Sequence, residues 1–261
     1  MSERSSYAPG IASWVELSGT PDVDASEAFY REVFGWEVPE LPSSAEMGGY
    51  RRAKLGGRDV AGVSPRMQDG QPTVWATYVS VADAAAAIAK VREAGGQVIV
   101  EPMDVMDLGT MAVFADSTGA VCGIWQPGTF IGAELVNEPG AFCWNELETR
   151  DPAASKAFYG AVFGWEFDDH DMGEMGTYTE WKLGGEPIGG MVDITGRVPE
   201  EIPDHWMVYF AVADADAALA KVGAAGGSVM FGPVDIPAGR FAIASDPHGA
   251  AFAVIKLSAE G

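Results

Sequence analysis

The second half of this chain restates the first. Trp14-Val15-Glu16-Leu17 returns as Trp144-Asn145-Glu146-Leu147, and Phe29-Tyr30 with Phe34-Gly35-Trp36 returns as Phe158-Tyr159 with Phe163-Gly164-Trp165. Val81-Ala82-Asp83-Ala84, followed by a helical run ending in Gly95-Gly96, returns as Val212-Ala213-Asp214-Ala215, with its run ending in Gly226-Gly227. Asp116-Ser117-Thr118-Gly119-Ala120 returns as Asp246-Pro247-His248-Gly249-Ala250, all at offsets of 129 to 131 residues. Four matches in one order leave little room for coincidence. The period far exceeds the roughly 20–50 residues of solenoid units, so the chain is a duplicated domain. The reading places domain one at 8–126, a linker at 127–140 and domain two at 141–258. With 261 residues, each copy can bury a core of ordinary size.

A weaker duplication lies inside each copy: a strand, an Asp or Pro start signal, an Ala-rich helix, then several short strands. In copy one the first unit spans Trp14 to about Val63, with a helix near Asp24–Phe34. The second spans Trp75 to Trp125, with a helix near Asp83–Glu93. Ala28, Val33 and Phe34, and then Ile88, Val91 and Ala94, fall at helical spacing. The Gly-Gly pairs stand where a helix end needs a left-handed residue. They lack a G-x-G-x-x-G context, which excludes a dinucleotide loop. Thr77-Tyr78-Val79-Ser80-Val81 alternates with period two, so one face meets a helix and the other is free to line a site.

Charge narrows the partners. The formal net charge of −22, from 38 acidic against 16 basic residues, repels phosphate backbones and anionic lipid, and no basic stripe offsets it. Nucleic acid and membranes are therefore not expected partners. Neither the N-terminus nor any later stretch reads as a signal peptide or membrane span, and the two cysteines, Cys122 and Cys143, sit in apolar runs and read as small buried hydrophobes. The expectation is a cytoplasmic protein, and a monomer or weak homodimer, because one chain already contains two copies that can pair with each other.

The Phe-Tyr then Phe-Gly-Trp pattern, the Gly-Gly after the second helix and the Asp-x-x-Gly turn resemble the vicinal oxygen chelate superfamily of glyoxalase I, extradiol dioxygenases and bleomycin-resistance proteins. The resemblance covers nearly the whole chain, twice. It implies an α+β fold of two tandem glyoxalase-like domains, each a pair of βαβββ modules forming a curved, cup-shaped mixed sheet. It also implies where a metal would bind, since metal-dependent members place His, Gln or Glu on inward positions of the cup strands. Counting from the motifs puts these positions at Trp14 and Trp144, at Ala76 and Met207, at Gly123 and Ala253, and within 60–63 and 188–191. None carries a donor side chain, and the chain has only three histidines, His170, His205 and His248. No metal site and no cofactor are expected.

Period-two counting places Trp14, Glu16 and Ser18 on one face, with Trp144, Glu146 and Glu148 on the matching face of copy two. Ala76, Tyr78 and Ser80 share a face, as do His205, Met207 and Tyr209, and Val121, Gly123 and Trp125. Such a wall suits a flat, largely apolar guest. The candidate ligand-binding residues are Trp14, Tyr78, Trp125, Trp144, Met207 and Tyr209, and the candidate acid–base residues are Glu16, Glu146 and His205. Each has a structural alternative. The tryptophans fit a seam between copies, the glutamates fit buried acids held by amides or an arginine, and His205 fits a solvated strand end. Phe29, Tyr30, Phe158 and Tyr159 read as helix-face core, and Asp116 and Asp246 as turn residues. Two functions follow as expectations: a metal-free binder of a small planar metabolite or drug, in a sequestration, carrier or resistance role, or an enzyme of the same superfamily. The enzyme would use Glu and His as acid and base or, less in keeping with the residues, a divalent metal.

Overall fold

The computed structural model describes residues 2–39, 47–173 and 176–258. Four helices carry the same start and stop chemistry: α1 (Val23–Phe34), α2 (Ala84–Glu93), α3 (Pro152–Phe163) and α4 (Ala215–Ala224). Asp22, Asp83, Asp151 and Asp214 each accept a hydrogen bond from a first-turn amide and so satisfy one of the helix's orphan donors. Gly35 and Gly164 end α1 and α3 in the left-handed region, and Gly95 and Gly226 follow α2 and α4 with φ of 88° and 89°.

The strands of copy one are β1 (Ala12–Thr20), β2 (Arg51–Leu55), β3 (Arg58–Pro65), β4 (Val74–Ser80), β5 (Gln97–Val105), β6 (Gly109–Ala115) and β7 (Val121–Pro127). Copy two supplies β8 (Phe142–Thr149), β9 (Glu166–Asp171), β10 (Thr177–Leu183), β11 (Glu186–Asp193), β12 (His205–Ala211), β13 (Ser228–Ile236), β14 (Gly239–Ser245) and β15 (Ala251–Leu257). They form two separate mixed sheets, ordered β2-β3-β1-β4-β7-β6-β5 and β13-β14-β15-β12-β8-β11-β10-β9. Each sheet draws all its strands from one copy, and in each the leading strands of the two modules, β1 with β4 and β8 with β12, pair antiparallel at the centre. The sheets differ by one strand. Where copy two forms β9, the described residues of the first module of copy one hold a bridge, in which Glu37 and Lys54 exchange backbone hydrogen bonds.

The core is not divided the way the sheets are. One buried cluster joins Phe29, Tyr30, Phe34, Trp36 and Trp75 of copy one to Phe210 and Phe252 of copy two. A second joins Ile88, Val91 and Phe114 to Phe158, Tyr159, Trp165, Trp181 and Trp206. Helix α1 packs on α4 and α2 on α3, and the Phe34 and Phe210 rings lie 4.8 Å apart. Polar ties cross the same seam. The Tyr30 hydroxyl donates to Asp246 at 3.1 Å, the Thr77 hydroxyl to the Asn145 side-chain oxygen at 2.8 Å, and the Trp165 indole to the Gly10 carbonyl at 2.8 Å. The copies are thus a pseudo-dimer with a shared interior, and the opposite, concave faces of the two sheets turn outward. Asp116 and Asp246 do close turns on backbone amides, as expected. No helix among the described residues is long and apolar enough to cross a membrane.

Candidate ligand-binding cups

Directly opposed residues on neighbouring strands share a face, so the sheet registers define what lines each cup. In the first, Trp14 lies opposite Tyr78, Tyr78 opposite Gly123, and Glu16 opposite both Ala76 and Gly62. In the second, Trp144 lies opposite Tyr209, Tyr209 opposite Ala253, and Glu146 opposite both Met207 and Gly190. The register slips in β8 between Phe142 and Trp144, as it does in β1 between Ala12 and Trp14, and Cys143 at this slip is half-buried beside Trp144 instead of fully buried as its apolar run implies.

A tyrosine completes each wall. The Trp14 indole donates to the Tyr50 hydroxyl at 2.9 Å, and the Trp144 indole donates to the Tyr178 hydroxyl at 2.9 Å. Both tyrosine hydroxyls lie over a glycine. A Cβ on Gly62 would collide with Tyr50, and one on Gly190 would collide with Tyr178 and the Trp144 indole nitrogen. Neither tyrosine was among the candidates read from the sequence. The signal for them is an ungapped match at offset 128, Tyr50 with Lys54-Leu55-Gly56-Gly57 against Tyr178 with Lys182-Leu183-Gly184-Gly185.

The carboxyl groups are tuned toward neutrality. Glu146, only 7% exposed, accepts a hydrogen bond from the Tyr209 hydroxyl at 2.8 Å. Burial pushes its carboxyl up to about 7, the hydroxyls of Tyr209 and Tyr178 pull it back, and Glu148 raises it further. Burial likewise lifts Glu16 to about 7, partly offset by the Ser64 hydroxyl, and Glu148 to about 7. The tyrosine hydroxyls are themselves pushed up by burial and remain donors. Glu148 has a partner with no counterpart in the first cup. His205 Nε2 stands 3.5 Å from Glu148 Oε2, while Nδ1 lies 2.9 Å from the Pro203 carbonyl. A carbonyl only accepts, so Nδ1 carries the proton and Nε2 presents a lone pair to the Glu148 carboxyl. Burial lowers the His205 pKa and favours this neutral ring. The corresponding opposed pair in the first cup is Ser18 and Val74.

The linker separates the cups further. Ala133 donates to the Ser13 carbonyl and Glu134 to the Asp59 carbonyl, each at 2.8 Å, which ties the segment across β1 and β3. Phe130 is thereby set against Trp14, edge to face at 4.9 Å, and against Trp125 at 5.9 Å. The Trp125 indole donates to the Phe130 carbonyl at 2.8 Å, and the Arg52 guanidinium caps the Phe130 ring at 5.0 Å. Trp14, Tyr78 and Trp125 are brought together as read from the sequence, but each is at most 8% exposed. Trp144 is half-buried, no ring contact is formed by it among the described residues, and Ile255 replaces Trp125. In the second wall Met207, Tyr209 and Glu146 are as buried as the first cup's rings, and Trp144, with His205 at the end of the wall, is the half-buried part.

These residues do not fit the metal centre of the fold. The inward positions hold Trp, Gly, Ala and Met, and the tyrosine hydroxyls occupy the space over Gly62 and Gly190 that a ligating side chain would need. Among the described residues no group of three or more His, Cys, Asp or Glu side chains is placed to hold an ion.

The sequence profile of the Glyoxalase/Bleomycin resistance protein/Dioxygenase superfamily matches residues 15–122 and again 141–254. The chain belongs to this superfamily. It is 43% identical over 260 residues to the protein named "Putative glyoxylase CFP32" of Mycobacterium tuberculosis, covering 98% of both chains. It is 39% identical over 266 residues to the anthracycline biosynthesis protein DnrV of Streptomyces peucetius, covering 96% of this chain and 94% of that one. Among solved structures, the Mn(II)-bound glyoxalase of Novosphingobium aromaticivorans aligns with a TM-score of 0.64 at 17% identity, over 95% of this chain and 83% of that one. The 2,2',3-trihydroxybiphenyl 1,2-dioxygenase of Sphingomonas wittichii aligns with a TM-score of 0.66 at 15% identity, over 95% and 91%. At these identities the solved structures establish the shared fold of the superfamily.

Proposed function

We propose that this superfamily member binds a small, planar, largely apolar molecule in its second cup without a metal ion, in a sequestration, carrier or resistance role. The observation that carries this reading is the wall itself: a half-buried Trp144 held by Tyr178, above a buried Glu146 held by Tyr209. Aromatic faces supply contact area, and a carboxyl poised near neutrality either donates to a guest carbonyl or accepts from a guest hydroxyl. A flat guest covering ~200 Å2 of apolar wall gains on the order of 5 kcal/mol before the cost of association is subtracted. The name of DnrV is consistent with this guest, because anthracyclines are fused-ring quinones.

A second reading, an enzyme transferring a proton, is favoured by the Glu148–His205 pair, which links the inner carboxyls to a half-buried ring at the strand end. Titration of tryptophan fluorescence with 1,4-dihydroxyanthraquinone, beside thermal melts, tests the binding reading. Saturable quenching that Trp144→Ala weakens by ~1–3 kcal/mol with an unchanged melt supports it. A wild type that is not quenched, with a mutant that simply melts early, makes Trp144 a structural residue and removes the reading.

A further inference from the structure

The two cups are built on one plan, so what fills one shows what the other is shaped to hold. In the first, the occupant is a ring from the chain itself. The Phe130 ring meets three side chains of the cup face: Trp14 on β1, Trp125 on β7 and Arg52, which lies opposite Gly62. The ring is delivered from outside the sheet by a linker that is hydrogen-bonded along its course. In the second cup the matching positions are Trp144 on β8, Ile255 on β15 and Glu180, which lies opposite Gly190. No ring contact to Trp144 is formed there among the described residues; the ring on that face is Phe241 of β14 itself, opposite Ile255 and 6.1 Å from Tyr209, and no linker ring is laid over it.

From this pairing we infer that Phe130 is a built-in occupant of the first cup, that the chain therefore binds one ligand rather than two, and that the ligand presents to Trp144 an aromatic ring where Phe130 meets Trp14. The inference rests on the proposed binding reading and adds its stoichiometry and the position of the ring. It also fixes a chemical preference. The cation that caps Phe130 in the first cup is replaced by the carboxylate of Glu180, which lies 3.5 Å from Lys182 Nζ and joins Glu146 and Glu148 on the same face. The second cup therefore takes a neutral or cationic ring system bearing hydroxyl or amino donors, and disfavours an anionic one.

Five proteins measured with 1,4-dihydroxyanthraquinone by equilibrium dialysis test the inference, each first shown by circular dichroism and melting to be folded. The expected counts of sites with wild-type affinity are one for wild type, none for Trp144→Ala, two for Phe130→Ala, and one for Phe130→Ala/Trp144→Ala. Phe130→Leu, which keeps the cup filled, is expected to retain one. A count of two for wild type, or of one for Phe130→Ala, overturns the inference while leaving the binding reading intact. Binding by Phe130→Ala but not by wild type upholds the plug and removes the second cup from the proposed function. No binding by any of the proteins overturns both.

Discussion

Replacing Glu146 by Gln isolates the energetic consequence of burying a carboxyl in the second cup. Its pKa rises from an ordinary 4.5 to about 7 in the folded chain. Between these values the folded protein holds a proton that the unfolded chain has released, so stability falls as pH rises through this window. The stabilising effect of the bound proton is fully present below about 4.5 and lost above about 7. At 1.36 kcal/mol for each pH unit separating the two states, the loss is on the order of 3 kcal/mol. Gln cannot ionise and keeps an oxygen to accept from Tyr209, but its amide adds donors whose desolvation costs ~1–3 kcal/mol at every pH. The constant offset cancels in the comparison. Urea unfolding of wild type and Glu146→Gln, followed by tryptophan fluorescence between pH 5 and 8.5, is expected to show the mutant gaining ~2–3 kcal/mol on wild type across that range. Glu16 titrates in both proteins and drops out of the difference, whereas Glu148, which raises Glu146, contributes its coupling to it. A difference that stays flat within ~0.5 kcal/mol would mean that Glu146 titrates as an exposed acid, and the account of the site would fail.

Three further outcomes follow. Tyr209→Phe removes a donor that favours the ionised carboxylate, so the pH window lost in Glu146→Gln is expected to shift upward in Tyr209→Phe, read from the same urea series. Gly190→Ala forces a Cβ onto the Tyr178 hydroxyl and the Trp144 indole nitrogen; it is expected to cost ~1–3 kcal/mol and to weaken anthraquinone binding, whereas an unchanged melt and affinity would mean that the wall repacks freely. Anthraquinone-2-sulfonate is expected to bind at least tenfold more weakly than the neutral dihydroxy compound at low salt, with the gap narrowing as salt is raised; equal affinities would show that the three carboxyl side chains do not set the preference.

The duplication made the architecture readable, because Asp start signals, Gly stops and alternating strands agree with one another in four modules. Period-two counting also placed Trp14 with Glu16, and Trp144 with Glu146, on the cup faces, since strand parity survives unless a bulge intervenes. Both β1 and β8 carry such a bulge, and Cys143 is half-buried where its counterpart Ser13, whose carbonyl accepts from Ala133 of the linker, is fully buried. Tyr50 and Tyr178 escaped because their roles depend on a glycine two strands' breadth from the motifs, a relation of register rather than spacing. His205 was visible as a strand start, yet its partner Glu148 emerged only once β8 and β12 were paired. Phe130 was the least legible. It lies in a segment read as a connection, and nothing in local sequence says that a connection folds back across the sheet it has just left. The shared core was legible only as an expected pairing of the copies, because contacts such as Phe34 on Phe210 join residues far apart in the chain.

The central claim is that an aromatic ring binds at Trp144 and needs no divalent ion. Calorimetric titration of 1,4-dihydroxyanthraquinone into protein dialysed against a chelator, and into the same protein resupplied with Mn2+, Zn2+ or Fe2+, tests it most directly. The account predicts one site of micromolar affinity, the same with and without metal and weakened by ~1–3 kcal/mol in Trp144→Ala. Binding that vanishes on chelation and returns with one of these ions, or that is unchanged in Trp144→Ala, would contradict it.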